Sequence, residues 1–142
     1  MATKAAKKGF SVARRYAMDT ATEVKGLWFD FEDGARLQVA RYGNPEHVKL
    51  ERQLEAEYAA KLESKDREVQ TEARTELNRR VFAHTLLKGW EGILDENEKE
   101  LPYSVEAAEQ LLEFPEFFGA VLEFATQVEK FRKYKQDAAV KN

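Results

Sequence analysis

The sequence encodes a mostly helical α+β fold, an N-terminal β-hairpin packed on about four helices. Three observations lead there. A β-rich double run, VKGLWFDFEDGARLQVARYG, surrounds an Asp33-Gly34 turn. The stretch from Glu46 to Lys88 contains neither glycine nor proline and is helical in composition throughout. Near the end, Phe117, Val121, Phe124, Val128 and Phe131 recur at steps of three and four, a wide apolar helical stripe. With 142 residues the chain has the size of one domain, and at 43% hydrophobic it can bury a sizeable core.

The hairpin register follows from side-chain alternation. A three-residue loop, Glu32-Asp33-Gly34, pairs Phe31 with Ala35, Phe29 with Leu37 and Leu27 with Val39. It sets Asp30 opposite Arg36 on the other face. A slip of one residue would mix apolar and polar partners. Gly34 then takes the left-handed loop position, where it meets no Cβ penalty. An isolated hairpin leaves both backbone edges open to a further strand.

The helices follow from their caps. Asn44 is an N-cap with Pro45 at the first helical position. The polar run ESKDRE divides the next stretch near residues 64–66. Gly89 reads as the end of the second helix, with Trp90 and Ile93 covering it. Leu101-Pro102-Tyr103 then redirects the chain to Ser104, the next N-cap. Pro115 starts the last helix, because proline disfavours the α region for Phe114. The expected organisation is a flexible basic arm over residues 1–19, one domain over 20–136 and a tail over 137–142. The hairpin spans 22–42 and the helices about 45–63, 67–88, 104–113 and 115–135.

Charge is unevenly placed. Residues 1–16 carry Lys4, Lys7, Lys8, Arg14 and Arg15 and no acid. Residues 89–129 carry eleven acids against one base, Lys99, and the chain turns basic again from Lys130. The acidic third would repel nucleic acid, so binding through the two basic ends is not the expected role. The arm reads as solvated rather than as a transit peptide. No stretch approaches the roughly 20 apolar residues that span a bilayer. The absence of cysteine removes disulfides, thiol nucleophiles and thiolate metal sites, and it fits a reducing cytoplasm.

A search for chemistry finds no constellation. His47 and His84 lack a second histidine at i+3 or i+4, so a metal site lacks its usual spacing. DENEKE resembles a calcium loop only until Lys99 takes a ligand position and Glu100 replaces the turn glycine. Ser11, Ser64 and Ser104 lie in an arm, a charged link and a cap. Neither Gly89 nor Gly92 opens a phosphate-binding loop. No catalytic, cofactor-binding or metal-binding residue is expected, and the chain reads as a non-enzymatic protein. Candidate partner-binding residues are Lys25, Trp28 and Arg41 on the hairpin and Phe117, Val121 and Phe124 on the apolar stripe. Read first as core, that stripe has an exposed groove as its second reading.

The segments ARYGNPEH, LLKGWEGI, DENEKELPYSVEAAEQLL and FPEFFGAVLEFA, with Trp28 ahead of the Glu32-Asp33-Gly34 loop, resemble the tail assembly chaperones of long-tailed, siphovirus-like bacteriophages and gene-transfer particles. The resemblance covers roughly residues 23–125 and rests on corner and cap residues. The chain departs from the family at Glu98, where such a loop usually carries glycine. The resemblance implies a chaperone that binds the tape measure protein and, second to it, tail tube subunits before tail polymerisation. It implies a role in the host bacterial cytoplasm. A homo-oligomer is expected, joined through the 24–42 hairpin, with the client on the helical side. A structural neck or tail-completion protein is the alternative reading, and a small nucleic-acid-binding factor the second.

Overall fold

The computed structural model describes residues 8–135. It shows seven helices and one three-stranded antiparallel sheet among those residues, a mostly helical α+β fold. In chain order the elements begin with α1 (Val12–Tyr16), α2 (Thr20–Lys25), β1 (Leu27–Asp30) and β2 (Arg36–Val39). They continue with α3 (Pro45–Glu57), α4 (Ala59–Leu62), α5 (Arg67–Thr85) and β3 (Leu87–Glu91), and end with α6 (Val105–Leu111) and α7 (Pro115–Ala125).

The hairpin forms in the expected register. Leu27 faces Val39, Phe29 faces Leu37 and Asp30 faces Arg36. The Phe31 N–H donates to the Ala35 carbonyl at 2.8 Å and closes the Glu32–Gly34 loop. Gly34 has φ 81°, the left-handed conformation assigned to it, and Asp33 shares that region at φ 55°. The strands are shorter than the 22–42 span. Asp19 caps α2 by accepting the Thr22 N–H at 3.1 Å, so residues 20–25 coil instead of extending. Those hydrogen bonds hold the Asp19 carboxyl below its ordinary pKa, the Thr22 backbone bond foremost. Gly26 then turns the chain into β1 at φ 95°, where a Cβ would lie 2.9 Å from the Val39 carbonyl carbon.

The largest correction concerns residues 86–91. The helix expected over 67–88 stops at Thr85, and Leu87–Glu91 forms β3 against β2. Gly89 is therefore a strand residue and not a helix stop. Its glycine identity has a steric cause: Trp28 and Gln38 lie across it, and a Cβ would come 2.9 Å from Gln38 Oε1. The strand escapes simple alternation because its register slips between Gln38 and Val39, leaving Lys88 as an extra residue. One of the two hairpin edges expected to be open is thus filled within the chain, in the sheet order β1-β2-β3.

The remaining boundaries follow their caps. The Asn44 side chain accepts the Glu46 and His47 N–H groups, and Pro45 opens α3. The polar break ends at Asp66, which caps α5. Ser104 Oγ accepts the Ala107 N–H at 3.0 Å, and Pro115 opens α7. The expected helix over 115–135 ends ten residues early, at Ala125, where the Thr126 hydroxyl donates back to the Leu122 and Glu123 carbonyls. The apolar period survives because Val128–Phe131 forms a 3-10 turn that keeps Phe131 on the core side. In the expected arm, Ser11 caps α1 by accepting the Arg14 N–H. The tail over 137–142 lies outside the described residues.

The core has two parts. The larger lies beneath the sheet, where Leu37, Val39, Leu87 and Trp90 meet Phe82 and Leu86, then Ala108, Val121 and Phe131. The smaller joins α3 and α4 to α5 through Leu54, Leu77 and Val81.

Candidate functional site

Among the described residues the buried polar ones are Glu23, Asn44, His47 and Thr85, and each is hydrogen-bonded within the fold. Glu23 Oε2 accepts from Arg41 Nε at 2.7 Å, while Arg41 Nη1 and Nη2 donate to the Tyr42 and Gly43 carbonyls. This clamp ties α2 to the segment that leads into α3. His47 Nδ1 accepts the Gly43 N–H at 2.7 Å, which places the ring proton on Nε2. Tyr42 and Phe82 stand edge-on to the imidazole. Burial lowers the His47 pKa below its ordinary value, Glu51 opposes the shift and Arg41 adds to it. His47 is therefore a buried neutral residue, only 3% exposed.

The segment around Trp90 is locked in the same way. Trp90 Nε1 donates to the Leu101 carbonyl at 2.7 Å, and the Tyr103 hydroxyl donates to the Leu87 carbonyl at 2.7 Å. Burial raises the Tyr103 pKa, and Glu106 raises it further. The loop between them is closed by Asp95 Oδ1, which accepts the Asn97 and Lys99 N–H groups. Its Glu98 sits at φ 61°, the left-handed conformation that favours glycine. Among the described residues no group of three or more His, Cys, Asp or Glu is placed to hold a metal ion.

The six candidate partner residues separate. Lys25 is exposed at the end of α2. Trp28 is 40% exposed on the outer face of the sheet, with the Arg36 guanidinium 5.0 Å from its ring centre. Arg41 is not an outward position, because all three of its donor groups are engaged in the clamp. Val121 is fully buried in the core. Phe124 stacks on Phe29 at 4.6 Å, and Phe117 meets Phe31 edge-on at 5.9 Å. The stripe is the surface on which the hairpin lies, which is its first reading and not an open groove.

Two surface features were missed. The first is the corner between α6 and α7. Phe114 holds the N-cap position of α7 with an extended backbone and is 64% exposed. Beside it lies a groove of ≈ 270 Å³ lined by Thr75, Asn78 and Arg79 of α5, Leu112 and Glu113 after α6, and Pro115 and Phe118. Phe118 is held there by stacking on Phe82 at 4.2 Å. The available signal was Pro115 itself: a residue forced out of the helix cannot follow the buried stripe. The second feature is the meeting of the residues after α1 with the basic segment at 130–135. Met18 bridges Arg132, and Lys133 N–H donates to the Ala17 carbonyl at 2.7 Å. Sequence separation concealed it.

No curated protein and no solved structure matches the chain. The sequence profile of a phage family, described as YdaY prophage protein, matches residues 42–142, which include α3 to α7, the corner groove and the C-terminal basic segment. That match covers more than half of the chain, and the chain belongs to the YdaY prophage protein family.

Proposed function

We propose that this prophage protein is a non-enzymatic tail assembly chaperone, acting in the host cytoplasm. Its client is the tape measure protein, with tail tube subunits as a second partner. The observation that carries this reading is the exposed Phe114 beside the groove between α5 and α7. A protruding aromatic next to a half-apolar cleft on rigid helices suits a client helix. The client's apolar face enters the groove, and Phe114 covers it. The chaperone-like segment FPEFFGAVLEFA supplies both Phe114 and Phe118. The buried polar residues support the same reading, since each already serves the fold.

Co-expression with the tape measure protein of the same prophage tests it. A complex that survives size-exclusion chromatography is expected, with more soluble client than without the chaperone. A client equally soluble alone, with no complex formed, contradicts the reading. Mass spectrometry of purified particles should find the chain absent. Stoichiometric presence would instead identify a structural component.

A further inference from the structure

The charge asymmetry of the sequence becomes two poles of the fold. Glu32 and Asp33 occupy the hairpin loop, and Asp95, Glu96, Glu98 and Glu100 lie in or beside the loop after β3. The two loops share one end of the sheet. Gly92 packs on the hairpin turn, where a Cβ would lie 3.2 Å from Ala35 Cα and 3.6 Å from the Gly34 carbonyl oxygen.

The second pole lies where α1 meets the C-terminal basic segment. Residues 17–19 lead through α2 to Gly26 and the start of β1, which packs on Val39 at the far end of β2 from the loops. Here residues 17–19 and 131–133 run antiparallel. Met18 bridges Arg132, and the Asp19 N–H donates to the Phe131 carbonyl at 2.9 Å. Arg14, Arg15 and Lys135 then line a cleft of ≈ 350 Å³ with Phe10 and Tyr134. The Arg14 guanidinium lies 4.4 Å from the Tyr134 ring centre, Arg15 lies 5.1 Å from Phe10, and Arg132 lies 5.4 Å from Tyr16.

We propose that the chain assembles head to tail, the basic aromatic pole of one copy docking on the acidic loops of the next. Charge complementarity names the occupant, since the same chain supplies both poles. The N–H edges of these stacked guanidinium groups suit carboxylate oxygens. Such an interface joins two different surfaces, so it builds rings or open filaments, not closed two-fold dimers. It requires neither hairpin edge and does not depend on the identity of the client.

Sedimentation velocity of the full chain tests the proposal. Exposed charge pairs are screened by salt, so association should weaken about tenfold or more between about 50 mM and about 500 mM NaCl. Arg14→Glu with Lys133→Glu on the basic pole should give a monomer at low salt. Glu96→Lys with Glu100→Lys on the acidic pole should do the same. Mixing the two variants should restore association, a result that misfolded variants cannot give. A parent chain that stays monomeric at low salt overturns the proposal, as do oligomers indifferent to both reversals. Failure of the mixture to associate also overturns it. A monomeric parent that binds a labelled single-stranded oligonucleotide, and loses it on Arg14→Glu with Lys133→Glu, would assign the basic pole to nucleic acid instead.

Discussion

Phe114 and Phe124 stand ten residues apart on the same stretch and have opposite surroundings. Phe124 stacks on Phe29 beneath the hairpin, and Phe114 projects from the corner that Pro115 enforces. Helical period accounts for Phe124, Val121 and Phe117, which face the sheet. It does not reach Phe114, which precedes the helix. Aromatic content alone therefore locates neither core nor binding surface. A residue's position relative to the helix start decides between them.

If the hairpin side is core, truncation there should be costly. Phe29→Ala removes a buried ring that meets both Phe124 and Phe131, and should lower stability by about 3 kcal/mol in urea unfolding. A loss within the range of an ordinary surface substitution, about 0.5 kcal/mol, would show that the hairpin is not part of the core.

The Arg41 clamp should behave likewise. Glu23→Ala leaves the guanidinium short of its carboxylate in a site where the Glu23 side chain is 6% and the Arg41 side chain 20% exposed. The expected loss is roughly 3 kcal/mol, with Arg41's two backbone acceptors limiting it. Lys25→Glu, at an exposed position, should change stability by no more than about 0.5 kcal/mol. Equal losses from the two would mean that the clamp contributes nothing specific.

His47 predicts a pH dependence of known sign. Its folded pKa lies below the ordinary 6.5, so the unfolded chain binds the proton more readily. The associated stability is complete above the unfolded value. It is lost as pH falls below that value and through the folded pKa. Urea melts at descending pH should show the decline, and His47→Asn should flatten it. An unchanged slope in the variant would assign the decline to other groups.

Glu98→Gly is the smallest expected effect and the only gain. Relief of a left-handed non-glycine backbone should outweigh the added freedom of the unfolded chain and stabilise the protein by about 0.5 kcal/mol. A loss would show that the Glu98 side chain contributes more than the backbone strain removes.

Residues that satisfy a local rule were legible in the sequence. The register followed from the alternation of Leu27, Phe29 and Phe31, and the caps at Asn44 and Ser104 from their side-chain acceptors. β3 was hidden because Gly89 carries two meanings. It can end a helix, or it can make room for Trp28 and Gln38 across a strand, and only the sheet distinguishes them. The role of Arg41 was hidden because strand alternation does not reveal the Glu23 carboxylate arriving from α2. The corner groove needed the packing of α5 against Pro115, and the basic pole needed two ends 114 residues apart, Met18 and Arg132, to bridge.

The most direct measurement is the affinity of Phe114→Ala for the tape measure protein, set beside Trp28→Ala and the parent by isothermal titration. A corner-bound client should lose at least about tenfold in affinity with Phe114→Ala, the loss expected of a central aromatic anchor, with thermal stability unchanged. Trp28→Ala, on the outer face of the sheet, should bind as the parent does. Full affinity in the Phe114 variant, with the loss in the Trp28 variant, would move the client to the sheet and contradict the reading of the corner.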